Sequence, residues 1–154
     1  MKIYLLLMLA SIFFFACSET VKEKKETTPD TAVTVVTPAS FDGCYEMIIS
    51  GDTASLNIKQ NNETLSGSLI YNRKGKDRNN GNVVLTKNND RVEGYYTFQS
   101  EGQNSVRQII LKIIGSSFAE GYGDIEMKND TAVFKYPHAL NFEEKHAFKK
   151  VNCK

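Results

Sequence analysis

From Phe41 onward, apolar and polar residues alternate in short runs, and clusters of Gly, Asn and Asp divide the runs. Alternation with a period of two predicts half-buried β-strands, and such clusters are what tight turns require. The runs fall at roughly 41–50, 54–60, 64–72, 81–87, 91–99, 105–114, 117–127, 131–136 and 146–152. Between them stand "SGD", "QNN", "RKGKDRNN", "KNND", "SEGQN", "GSS" and "KND". No long segment has helical spacing; only "LNFEEKHAF" has room for one helical turn.

This pattern predicts an all-β domain over residues 41–154. The expected form is an antiparallel meander closing into a small calycin-like barrel of about 8 to 9 strands. A β-sandwich is the runner-up.

Period two also assigns faces. Arg107 shares a face with Ile109, Leu111 and Ile113, and on the preceding strand Tyr96 and Phe98 share one with Val92. Pairing Ser100 with Ser105 sets Phe98 opposite Arg107 and Tyr96 opposite Ile109, so the apolar faces coincide. A two-residue turn at Gly115-Ser116 then sets Phe118 opposite Ile113, Glu120 opposite Leu111, Tyr122 opposite Ile109 and Asp124 opposite Arg107. Arg107, Glu120, Tyr122, Asp124 and Tyr96 form a candidate interior polar site. Buried charges must be paired or they cost several kcal/mol. Such a group is either a structural ion pair or the polar floor of a ligand cavity; reversed faces would leave it in solvent.

The first forty residues have no such alternation. Lys2 is the only charge before Cys17, and Ile3 to Ala16 is almost wholly apolar, too short to span a bilayer as a helix of ~20 residues. A basic start, a short apolar run and a small residue before a cut point make a secretory signal peptide over 1–16. Phe14-Phe15-Ala16-Cys17 resembles a bacterial lipobox, with Phe where Leu is usual. This implies a thioether-linked lipid and an acylated amine on Cys17, enough acyl chains for a stable membrane anchor. Residues 17–40 carry "ETVKEKKE" and then a stretch rich in Thr and Pro, and read as a flexible tether. By coil scaling it spans ~25 Å, and charge and proline extend it.

Without Lys2, eighteen Lys and Arg face eighteen Asp and Glu. A balanced charge argues against a nucleic-acid partner, which calls for a basic excess or stripe. With no Trp, the core must rest on Phe, Tyr, Ile, Leu and Val. Setting Cys17 aside leaves Cys44 and Cys153, an even pair that reads as a disulfide in an exported chain. Two free thiols or a metal site are the alternatives, and the spacing of His138 and His146 matches no zinc pattern. No metal and no cofactor is expected. The bond would bring the first and last strands side by side, which favours closure.

No nucleophile elbow, HExxH or phosphate loop is present. Glu120 and Asp124 stand roughly 13 Å apart by the strand rise, wider than the ~5–9.5 Å of a glycosidase pair. A catalyst is not expected.

The segments "GCYEMIISGDTASLNIKQNNETLSGSLIYN", "YYTFQSEGQNSVRQIILKIIGSSFAEGYGDIE" and "KKVNC" resemble a family of uncharacterised small lipoproteins of Bacteroidota. The resemblance implies a lipid-anchored β domain in the cell envelope, at the outer membrane with the leaflet left open, and supplies no activity. The same phylum attaches O-glycans at Asp-(Ser/Thr)-apolar sites. Thr31, Thr53 and Thr131 are therefore candidates, each in an Asp-Thr-Ala triplet. The expected role is a non-catalytic binding module for a small molecule or glycan. The alternative is a protein-interaction or structural lipoprotein with a filled barrel. An interior cavity would favour the first and a packed interior the second.

Overall fold

The computed structural model describes residues 40–154. The signal segment, Cys17, nearly all of the tether and Thr31 lie outside the described residues. The strands are β1 (Gly43–Ile49), β2 (Asp52–Asn61), β3 (Thr64–Asn72), β4 (Asn79–Asn88), β5 (Arg91–Ser100), β6 (Gln103–Ile114), β7 (Ser117–Tyr122), β8 (Ile125–Lys128), β9 (Thr131–Phe134), β10 (Asn141–Phe142) and β11 (Lys149–Val151). Short 3-10 turns at Pro137–Ala139 and Glu144–His146 interrupt the last third. The second falls within "LNFEEKHAF".

β1 to β7 form an antiparallel meander in one sheet, with β11 returning to β1. Two-residue turns make five of its six connections, and the loop 73–78 makes the other. Ser50-Gly51 and Glu101-Gly102 both have positive φ at each residue, the mirror-image turn geometry whose twist matches that of the strands. β2 shows the alternation plainly: Ala54, Leu56 and Ile58 are buried while Ser55, Asn57 and Lys59 are exposed. The inward residues of β1–β7 form one core with Phe148, in which Tyr45, Tyr96, Phe118 and Phe148 are its largest fully buried side chains.

Three features depart from the expected meander. The run at 117–127 breaks after Tyr122, and β8 turns back on β9. β9 then pairs β6 in parallel at Val106↔Thr131 and Arg107↔Ala132, so the sheet is mixed. The segment from Phe134 to Phe142 crosses the outer face of β6 and β7. Leu140 and Phe142 approach so closely that a β-carbon on Gly121 would meet them at 2.8 and 2.9 Å, which accounts for glycine there. Arg91 fastens this cover, donating to the Pro137 carbonyl at 3.1 Å with its guanidinium over the Phe142 ring.

The strand ladders do not close the sheet into a barrel. β7 and the approach to β11 meet at one bridge, where Phe118 and Phe148 exchange two backbone hydrogen bonds of 3.1 and 2.7 Å. The expected disulfide is present: Cys44 and Cys153 are bonded across a separation of 109 residues, with Cα atoms 5.2 Å apart.

β11 is held to β1 by only three residue pairs, Cys44↔Val151, Tyr45↔Lys150 and Glu46↔Lys149, so the disulfide carries much of its attachment. Linking so long a loop stabilises by up to about 4.7 kcal/mol in the chain-entropy model. Intact mass without reductant should lie two hydrogens below the reduced chain, and reduction should lower Tm. Alkylation of both thiols in the native protein would contradict the bond.

Candidate functional site

Three strands that are distant in sequence deliver one charged cluster to the inner face. Arg107 comes from β6, Glu120 from β7 and Tyr71 from β3. Arg107 Nη2 donates to Glu120 Oε1 at 2.9 Å and to the Tyr71 hydroxyl at 2.9 Å. That hydroxyl in turn donates to Glu120 Oε2 at 2.8 Å. Both carboxylate oxygens are thereby engaged. Glu120 is 3% exposed, and it is the only buried charged side chain among the described residues. Its partner Arg107 has a side chain 27% exposed.

Tyrosines complete the enclosure. The Arg107 guanidinium carbon lies 5.2 Å from the Tyr71 ring centroid and 5.5 Å from that of Tyr96. Tyr96 packs edge-on against Tyr71, stacks on Phe98 and donates its hydroxyl to the Leu69 carbonyl at 3.0 Å. No buried side-chain polar atom among the described residues lacks a hydrogen-bond partner.

The proton affinities follow from this enclosure. Burial raises the Tyr71 phenol well above its ordinary value, and the Glu120 charge adds to the effect. Burial also pushes Tyr96 and Tyr122 up to about 12, with Arg107 partly offsetting it in both. For Arg107 burial acts downward, but the Tyr71 oxygen and the Glu120 carboxylate outweigh it and hold the guanidinium above its usual range.

Of the residues expected together from face parity, the structure joins Arg107, Glu120 and Tyr96. Asp124 is a correction. The β6–β7 ladder ends at Leu111↔Glu120, β9 takes the place beside Arg107, and Asp124 is exposed beyond β7. Tyr122 is a partial correction. It leaves the ladder with β6, pairs Asn141 on β10 and is 44% exposed at the mouth of the fold. The register of the β5–β6 hairpin also differs. Ser100 pairs Gln103 around the tight Glu101-Gly102 turn, so Tyr96 opposes Arg107 and Phe98 opposes Ser105. A shift of two residues keeps every side chain on its face, so the expected grouping survived the error.

Tyr71 is the member that sequence reasoning missed. Its parity with Leu65 and Leu69 marks it as inward, but nothing local signals that β3 lies across the interior from β7. A cavity of about 90 Å³ reaches Tyr71 and is also lined by Arg73, Tyr122, Asp52 and Thr53. Thr53 and Thr131 are half-buried at the starts of β2 and β9, each just after a hairpin turn. His146 Nδ1 lies 2.8 Å from Glu143 and His138 is exposed. Among the described residues no group of three or more His, Cys, Asp or Glu is placed to hold a metal. Compared with protein-family models, curated proteins and solved structures, the chain matches none. The lipoprotein resemblance therefore rests on the sequence segments quoted for it.

Truncating one partner of a buried ion pair typically costs 3–5 kcal/mol. Arg107→Ala should fall at the low end, about 3 kcal/mol, because its side chain is partly solvated. Arg107→Met should recover little, since Glu120 stays buried without its cation. The double variant Arg107→Met/Glu120→Leu should regain most of the loss, because a well-packed apolar pair replaces a buried ionic one at little cost. Denaturant melts of the three variants check this, and a fully stable Arg107→Ala would contradict the pairing.

Stability should also fall at high pH. Tyr96 is raised from 10.0 to about 12, so the unfolded chain sheds its proton first as pH passes 10. The contribution is complete below pH 10 and is lost as pH rises through about 12. Thermal melts from pH 9 upward, with phenolate absorbance read in parallel, should show this decline; a flat profile would contradict it.

Proposed function

We propose that this chain is an envelope lipoprotein whose β domain is a non-catalytic recognition module with a packed interior, binding its partner on the outside of the fold. The lipid-anchor part rests on the sequence: residues 1–16 direct export, Cys17 carries the lipid and 17–40 hold the domain away from the outer membrane. The packed interior carries the rest. Four large aromatic side chains fill the core, the inner charges saturate one another, and the cavity at the cluster is about 90 Å³. Sites for drug-sized ligands occupy ~300–1,000 Å³. A glycan or protein met at the surface fits better than a small molecule enclosed within.

Closure of the sheet into a barrel belongs to the same proposal. Its support is the Phe118–Phe148 hydrogen-bonded bridge, the disulfide that ties the last strand to the first, and inward-facing glycines in β3 and β4. A β-carbon on Gly67 or Gly81 would run into the backbone of the neighbouring strand, the sign of a sharply coiled corner.

Strand direction sorts the turns between two ends of the sheet. The turns at 62–63, 89–90 and 115–116 lie at the end where the chain enters through Phe41, whose ring packs on Phe118. The turns at 50–51, 73–78 and 101–102 lie at the opposite end.

Expression of the wild type beside Cys17→Ser tests the reading. The wild type should fractionate with membranes and begin at Cys17, and the variant should be soluble. Native mass spectrometry of that variant should give the bare chain. A different mature amino terminus would overturn the anchor, and a co-purifying small molecule held in the core would overturn the packed interior.

A further inference from the structure

The end of the fold opposite Phe41 presents a cation of a different kind from Arg107. Arg73 opens the basic β3–β4 loop, and its guanidinium carbon lies 5.3 Å from the Tyr71 ring centroid. Arg107 approaches the same ring at 5.2 Å but is neutralised by Glu120. The exposed Arg73 takes part in no ion pair and no side-chain hydrogen bond among the described residues. Lys74, Lys76 and Arg78 follow it in the loop, against Asp77.

The cavity beneath Arg73 is about 90 Å³, room for one edge of a ligand. Its polar lining mixes functions. Arg73 offers a planar fork of donors that matches a carboxylate. Thr53 offers a hydroxyl. Asp52 accepts the Lys74 backbone N–H through Oδ1 at 2.8 Å, leaving Oδ2 as an acceptor. Tyr122 stands at the rim, 44% exposed, with both a ring face and a phenol to present. Its proton is held to about 12, so at neutral pH it is an uncharged donor. A lone guanidinium with a carboxylate in the same cavity disfavours a dianion such as phosphate. It suits a monoanion that carries hydroxyl donors beside its charge.

We propose that this mouth is a subsite for an acidic sugar, a uronate, whose carboxylate pairs with Arg73 while its ring lies against Tyr122 and its hydroxyls meet Asp52 and Thr53. The inference rests on reading the domain as a surface-binding module, and it names the class of ligand. The ring stays largely outside the cavity, so a single sugar binds weakly and a polymer gains from adjoining contacts.

The test uses the full chain carrying Cys17→Ser, followed by amide NMR during titration with glucuronate, glucose and acetate. Glucuronate should shift the amides of Asp52, Thr53, Arg73 and Tyr122, and glucose and acetate should bind about tenfold more weakly or less, the scale of one charge-assisted contact. Arg73→Gln should lower glucuronate affinity about tenfold or more, with Tm unchanged. Tyr122→Phe should keep most of the affinity and Tyr122→Ala should lose it. Equal binding of acetate and glucuronate, or indifference to Arg73→Gln, would overturn the proposal. Shifts confined to core residues such as Leu56 and Leu85 would overturn the packed-interior reading as well. No shift at all would remove the sugar site and leave that reading standing.

Discussion

The carboxylate of Glu120 sits where a β domain of this size can least accept a charge, on the inward face of β7 with almost no exposure. An unpaired carboxylate there would be strongly unfavourable, so the fold must supply a cation and a donor together. Arg107 and Tyr71 do so from two other strands, and the correct arrangement of three chain segments becomes a condition for burying one group. The cluster is weak evidence for net stability, because an apolar core of the same volume would do as well. Its consequence is geometric: with β3, β6 and β7 fixed relative to one another across the interior, the position of the intervening strands follows.

Around that point the sheet is held by short-range devices. Two-residue turns fix the hairpins, and the disulfide ties a three-residue last strand to the first. The cover from Phe134 to Phe142 lies on the outer face of β6 and β7, where Ile110 and Ala119 are buried outside the main core. β6 is thus buried on both faces at its centre, Ile109-Ile110-Leu111. This explains why its run of apolar residues is nearly continuous where its neighbours alternate.

The two arginines that flank Tyr71 divide the chemistry of the domain. Arg107 is spent internally, with its carboxylate and phenol partners already in place. Arg73, at the end opposite Phe41, has a ring beneath it and makes no ion pair among the described residues. The end opposite Phe41 brings Arg73, the exposed Tyr122 and a mixed set of donors and acceptors around one small cavity.

Strand positions and faces were legible in the sequence because a period of two is a local property, repeated in every run from β1 to β7. The grouping of Arg107 with Tyr96 and Glu120 was legible for the same reason, and it survived a register error of two residues. The disulfide was legible from cysteine number, since setting Cys17 aside leaves one even pair. Three things were decided only by the tertiary structure. β7 leaves β6 after Glu120 because β9 competes for the same edge, and this removes Asp124 from the cluster and swings Tyr122 to the rim. Tyr71 reaches Glu120 across the interior, a contact between residues 49 apart that no pairwise hairpin rule contains. The bend after Tyr122 lets the last third of the chain cover the outside of the sheet. These depend on which distant surfaces compete for the same space, and local spacing carries no record of that competition.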